Sequence, residues 1–264
     1  MALIDVNNTQ LHYRLDGPEQ GPVIMFSNSL ASNLSMWDNQ ISELTAAGYR
    51  ILRYDSRGHG QSAVPQGPYS IEMLCNDAVG LLDQLGLDKV FFCGLSKGGM
   101  VGQMFGVKYP ERLTALMLSS TSAYVGFPES WNERIDQVQS RGMQSVVEAT
   151  IDRWFTQSGQ ERMPKEVGKI RKMILDTPVE GFCASCAAIR DMDQRKSITA
   201  VSLPTLVVVG EHDQGTPVEE AEFIHRQINS SQLQIIPEAA HMVNIEQANV
   251  FTRVLLEFVN STIA

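Results

Sequence analysis

Ser96 stands in Gly94-Leu95-Ser96-Lys97-Gly98, a Gly-x-Ser-x-Gly frame with an apolar run before it and a helix-like stretch after it. In that setting a serine occupies a sharp strand-to-helix turn and projects its hydroxyl toward substrate. The hydroxyl is a weak nucleophile at neutral pH, so it needs a general base, usually His, which a carboxylate must orient. The chain has five histidines. His12 lies in an alternating strand and His225 in a charged helix, and both read as surface residues. His59 sits in the glycine-rich turn Asp55-Ser-Arg-Gly-His-Gly60 and reads as structural. His212 directly precedes Asp213 and reads as a neighbour of the site. His241 follows a strand and the segment Pro237-Glu-Ala-Ala240, on a loop at a strand's carboxyl end, and is the candidate base. Asp213, just past the apolar run Leu206–Gly210, is the candidate carboxylate, with Glu211 as the alternative.

Acyl transfer also needs stabilisation of a tetrahedral oxyanion, commonly by two backbone N–H groups. One donor is expected from Lys97, the residue after the serine, at a helix N-terminus that favours negative charge. The other is expected from Leu30, in the loop Ser27-Asn-Ser-Leu30 that follows the strand Val23–Phe26. The Lys97 side chain has two readings, a cation near a substrate carboxylate or a lysine turned out into solvent.

The elements that must position these groups alternate along the first part of the chain. Strand-like runs at 10–16, 23–27, 50–54, 89–93 and 113–119 are separated by helix-like runs at 41–47, 71–85 and 99–108. Such alternation predicts a mostly parallel sheet flanked by helices. The run 10–16 alternates polar and apolar residues, as an antiparallel edge strand would. From about 123 to 200 strand-like runs vanish and apolar residues recur at helical spacing, as in Val146-Val147-Thr150-Ile151-Trp154. The alternation resumes with a strand over 203–209, a helix over 218–228, a strand over 233–236 and a closing helix over 248–259. The expected organisation is an α/β core of residues 1–124 and 201–264, interrupted by a helical cap at 125–200, all one structural unit. A cap over the carboxyl ends of parallel strands would enclose the place where open α/β sheets bind ligands.

The chain of 264 residues carries a net charge of -9, with 43% hydrophobic and 19% charged residues, an ordinary globular composition. No Lys/Arg block interleaved with aromatics appears, which argues against a nucleic-acid partner. The apolar runs are too short to span a bilayer, and the first residues lack the pattern of a secretory signal. A cytoplasmic location is therefore expected, with no membrane partner. Cys183-Ala-Ser-Cys186 is a CxxC, but no second CxxC or His pair completes a metal set. The four cysteines read as reduced thiols whose role is packing, and neither a metal nor an organic cofactor is expected. Oligomeric state is not encoded in any of these features.

The elbow at Ser96, the Asp-x-Arg-Gly-x-Gly-x-Ser turn at Asp55–Ser62, the Gly-x-x-Asp-x-x-x-Pro run at Gly210–Pro217 and the late His241 together resemble the α/β-hydrolase superfamily with a cap. The order Ser96, Asp213, His241 is that of α/β-hydrolases, unlike those of chymotrypsin and subtilisin. More narrowly, Ser27-Asn-Ser-Leu30 followed by Leu34-Ser-Met-Trp-Asp38 is similar to the 3-oxoadipate enol-lactonases. The segments Arg141-Gly-Met143, Arg153-Trp-Phe-Thr156 and Cys186-Ala-Ala-Ile-Arg-Asp-Met-Asp193 are similar to the same family. The resemblance implies a cofactor-free serine hydrolase that opens a lactone or ester through an acyl-enzyme, in aromatic catabolism, with a small substrate bearing a carboxylate. Lys97 departs from the apolar residue expected there. Arg134 and Arg190 are rival carboxylate-binding candidates, since Arg grips carboxylates bidentately, and Trp131 and Trp154 are candidate pocket walls. The alternatives are a general carboxylesterase, a haloperoxidase-like or carbon-carbon bond hydrolase, and a hydrolase-fold receptor with slow turnover.

Overall fold

The computed structural model describes residues 2–263. Strands β1 (Ala2–Val6), β2 (Thr9–Asp16) and β3 (Val23–Ser27) lead into α1 (Asp38–Ala46), β4 (Arg50–Tyr54), α2 (Ile71–Gln84), β5 (Val90–Leu95), α3 (Lys97–Lys108) and β6 (Leu113–Ser119). Five helices follow: α4 (Pro128–Arg141), α5 (Val147–Trp154), α6 (Gln157–Arg162), α7 (Pro164–Asp176) and α8 (Val179–Arg190). The chain closes with β7 (Thr205–Gly210), α9 (Val218–Gln227), β8 (Ser231–Ile236), α10 (Val243–Glu246) and α11 (Ala248–Ile263).

The eight strands form one sheet in the order β1-β2-β4-β3-β5-β6-β7-β8. From β4 to β8 every pairing is parallel; β1 and β2 add on antiparallel at one edge. Strands β3, β5 and β7 are buried along their whole length, as their unbroken apolar runs require when both faces of a parallel sheet are covered. The sheet is mostly parallel and flanked by helices, as the alternation predicts, and the fold is the α/β-hydrolase fold that the family resemblance implies.

The structure differs from the sequence expectations at four points. β1 was not anticipated, because only Val6 of its five residues is buried and it carries no alternation to read. β5 runs on to Leu95 and α3 begins at Lys97, so Ser96 alone makes the turn. His12 is not a surface residue: it is 3% exposed, with Nδ1 2.7 Å from Asp55 Oδ2. The polar-apolar alternation of β2 points to an outward histidine, but the turn after β4 supplies a buried carboxylate partner. His225 is half-buried, its Nδ1 2.7 Å from Ser231 Oγ.

One hydrophobic core joins sheet residues such as Phe26, Leu52 and Leu116 to Val138, Ile151 and Phe182 of the inserted helices. All four cysteines are unpaired and buried, Cys183 and Cys186 on α8. Burial pushes the thiols of Cys75 and Cys186 up to about 12 and raises those of Cys93 and Cys183 as well. No helix among the described residues is long and apolar enough to cross a membrane.

Candidate active site

Ser96 has φ 58° and ψ -116°, a strained conformation for a residue with a side chain. The surroundings hold it there. Its N–H donates to the Ser119 carbonyl at 2.9 Å, while its own carbonyl accepts from Met100 N at 3.0 Å and Thr121 Oγ1 at 2.8 Å. The flanking glycines let strand and helix meet: a Cβ on Gly94 would lie 2.1 Å from the Gly98 carbonyl oxygen, and one on Gly98 would lie 2.0 Å from that of Ser27. Either side chain would push α3 away from the sheet and take the serine with it.

Asp213 lies on the loop after β7 and is 4% exposed. Its Oδ1 accepts the Gly215 and Thr216 backbone N–H groups, each at 2.9 Å, and its Oδ2 accepts the Thr216 hydroxyl at 2.9 Å. His241 Nδ1 stands 2.9 Å from Oδ2 and 3.0 Å from Oδ1. Burial works against the carboxylate's charge, but His241 and the Thr216 donors outweigh it and hold the pKa of Asp213 below its ordinary value. An ionised Asp213 places the imidazole proton on Nδ1 and leaves Nε2 with a lone pair, the tautomer a general base needs. Glu211, the alternative carboxylate, is exposed and lies 3.8 Å from His212 Nε2 instead.

The loop of His241 is fastened to the inserted helices. Met242 N–H donates to the Trp154 carbonyl at 3.0 Å, and the Trp154 ring stacks on the His241 ring with centroids 5.9 Å apart. The Glu246 carboxylate spans the same seam: Oε2 accepts Ala240 N–H at 2.8 Å, and Oε1 accepts the Thr156 N–H at 3.0 Å and the Thr156 hydroxyl.

Ser96 and His241 line one cleft of about 440 Å³, within the range of small-molecule sites. Leu30 lines it beside Ser96. The backbone N–H groups of Leu30 and Lys97 donate to no protein acceptor among the described residues, and the Ser96 hydroxyl likewise has no protein partner. The inserted helices supply Trp131, Arg134 and Trp154 to the wall, and also Arg153, which the sequence reading missed. Arg134 lies over the rings of Trp131 and Phe182 and donates to Thr150 Oγ1 at 3.1 Å. Neither arginine has a carboxylate partner among the described residues, although Glu133 also reaches the cleft.

Two residues stand elsewhere than expected. Arg190 is not on the cleft; it pairs with Asp191 at 2.7 Å and donates to Asn132 Oδ1 at 2.7 Å. Its adjacent aspartate captures it at the end of α8. The Lys97 side chain reaches neither cleft nor solvent: it is 0% exposed and its Nζ has no hydrogen-bond partner. Burial pushes the amine down to about 7, against the opposing pull of Cys186 and Asp55. Thr216 and Glu246 were also not singled out. Thr216 has a local signal, a hydroxyl three residues after an Asp, whereas the tie from Glu246 to the inserted helices reaches across 90 residues of chain to Thr156.

The sequence profile of the family described as Hydrolase_4, serine aminopeptidase S33, matches residues 18–248. A 3-oxoadipate enol-lactonase of Acinetobacter baylyi is 35% identical over 94% of this chain and 92% of its own length. The crystal structure of an enol-lactonase from Burkholderia xenovorans superposes with a TM-score of 0.96 at 37% identity, covering 98% of this chain and 100% of that one. A thermophilic esterase from Thermogutta terrifontis gives 0.92 at 31% identity, covering 99% and 98%. With its strained serine, its Asp-held histidine and relatives that match from end to end, this chain belongs to the α/β-hydrolase family, among the carboxylic ester hydrolases.

Proposed function

We propose that this protein opens a lactone bearing a free carboxylate, 3-oxoadipate enol-lactone being the substrate that its enol-lactonase relatives favour. The observation that carries the reading is the cleft itself, which Ser96 and the Asp213-bound His241 share with two arginines that have no carboxylate partner among the described residues. His241 Nε2 takes the Ser96 proton as Oγ attacks the lactone carbonyl. The N–H groups of Leu30 and Lys97 receive the oxyanion, and Asp213 stabilises the imidazolium. Ring opening breaks the acyl C–O bond; the enolate oxygen leaves with the proton from His241 and the freed enol becomes the ketone. Water, deprotonated by His241, then attacks the ester carbonyl and releases the acid, restoring Ser96.

Arg134, with Arg153 at the rim, grips the distal carboxylate, while Trp131 and Trp154 wall the acyl chain. The helices of residues 125–200 act as a cap over the core of 1–124 and 201–264, and keep bulk water from the acyl-enzyme. Neither metal nor organic cofactor has a role in these steps. Four unpaired cysteines suit a reducing, cytoplasmic setting.

The test is turnover by purified protein of 3-oxoadipate enol-lactone against a neutral aryl ester. We expect kcat/KM for the lactone to exceed that for the ester by at least about 100-fold, and Ser96→Ala to abolish both activities with thermal stability retained. A preference for the aryl ester would make the chain a general esterase; residual turnover in Ser96→Ala would remove the serine from the mechanism.

A further inference from the structure

The loop that carries Leu30 is held in an unusual conformation, and the groups that hold it lie outside the reacting set. Ala31 has φ +54°, in the left-handed region that a Cβ disfavours. Its N–H donates to His59 Nε2 at 3.1 Å, and the opposite ring nitrogen, Nδ1, lies 3.3 Å from the Arg57 carbonyl. His59 is 0% exposed, and burial, reinforced by nearby Lys97, lowers its pKa well below the ordinary value. The neutral ring therefore carries its proton on Nδ1 and accepts at Nε2. Arg57 in turn is locked by both its Nε and a terminal nitrogen to the Asp77 carboxylate on α2. The acceptor for Ala31 is thus rigidly mounted.

One peptide plane back, the Ser29 carbonyl accepts the Ser32 hydroxyl at 2.9 Å. Ser32 is 1% exposed; its hydroxyl also approaches Met36 Sδ at 3.1 Å, but a carbonyl oxygen is the stronger acceptor for its single proton. The Ser29–Leu30 peptide is trans, so its carbonyl and its N–H point in opposite directions across one plane. Whatever fixes the Ser29 carbonyl also fixes the Leu30 N–H.

We propose that Ser32 and His59 are positioning residues that clamp the two consecutive peptide planes on either side of Leu30, so that its N–H is aimed into the cleft before substrate arrives. The inference rests on the reading of Leu30 as an oxyanion donor. Without the Ser32 hydroxyl the Ser29–Leu30 plane can rotate and present a carbonyl, which repels an oxyanion, where a donor should be. Without the His59 acceptor the left-handed Ala31 loses the bond that compensates its strain, and the neighbouring plane is freed.

The experiment compares Ser32→Ala, Ser32→Thr, His59→Leu and His59→Gln on the better of the lactone and the aryl ester. We expect Ser32→Ala to lower kcat about 10- to 100-fold, with KM within about threefold, because removal of a whole oxyanion donor costs about 100- to 1,000-fold. Ser32→Thr, which keeps the hydroxyl, should recover most of the loss. His59→Leu should behave as Ser32→Ala does, and His59→Gln, which keeps an acceptor near Nε2, should be intermediate. An alkyl trifluoromethyl ketone, whose serine adduct carries the oxyanion, should lose affinity by the same factor as kcat, while a product carboxylate should bind as before. Unchanged kcat in Ser32→Ala, or a loss that falls equally on the ketone and the carboxylate, would overturn the inference. Ser96→Ala separates the two layers: if it is inactive and Ser32→Ala is not impaired, the clamp fails while the serine mechanism stands.

Discussion

At the scale of single residues, Lys97 is a buried amine that works against the fold. An amine with no hydrogen-bond partner, sealed from water beside the elbow, is destabilising in its charged form. Its folded pKa of about 7 lies below the unfolded value near 10.5, so between those limits the unfolded chain binds the extra proton and stability rises with pH. The penalty is fully present below about pH 7 and disappears above about 10.5. Lys97→Met should therefore stabilise the protein at pH 7 by roughly 2–5 kcal/mol, and the gain should shrink steadily as the pH is raised toward 10. Urea unfolding of both proteins at pH 7, 8.5 and 10 measures this; a gain independent of pH would show that packing, not charge, is the cause. The sequence places Lys97 beside the serine, where the family resemblance implies an apolar residue, but leaves the direction of its side chain open. The first residue of a helix can send a long side chain in several directions, and here it ends buried within the influence of Cys186 on α8 and Asp55 in the turn after β4.

Among elements, the seam between the His241 loop and the segment after α5 is where base and inserted helices are joined. Glu246 holds both sides through three donors, and Gly159 gives it room, since a Cβ there would sit 2.0 Å from Oε1. Glu246→Gln replaces one acceptor oxygen by an NH2 that faces N–H or O–H donors. It should cost about 1–3 kcal/mol of stability and lower kcat roughly tenfold through misplacement of His241. Chemical denaturation and steady-state kinetics on the same preparation test both; loss of stability with full kcat would mean that the stacked Trp154 ring is sufficient to position the base. Strands β3, β5 and β7 are legible because buried parallel strands read as apolar runs, and the elbow because Gly-x-Ser-x-Gly is a local frame, in which Gly94 is required by the Gly98 carbonyl four residues on even though Gly98 answers to Ser27 across the fold. Contacts made across the fold, such as Glu246 to Thr156 or His12 to Asp55, leave no local pattern. Arg153 and Arg190 show the same limit from the other side: each lies in the last turn of a helix, and only the surroundings decide which one lines the cleft.

For the whole molecule, one hydrophobic core running through sheet and inserted helices implies one cooperative unit. The tryptophans offer a way to see this, because Trp37 is buried against Phe26 near the sheet whereas Trp131 and Trp154 belong to the inserted helices. In a Trp131→Phe, Trp154→Phe variant, Trp37 fluorescence and far-UV circular dichroism should lose their native values at the same urea concentration. Loss of helical signal ahead of the Trp37 transition would instead reveal helices that melt on their own. The buried thiols have a different consequence at this scale. With all four native sulfhydryls in buried residues and their pKa values raised, the folded protein offers alkylating reagents and mild oxidants little thiolate to attack. A cysteine introduced at the cleft rim would be the one chemically addressable sulfur, so a dye, a crosslinker or a surface tether could be attached there without first stripping the native cysteines from the chain.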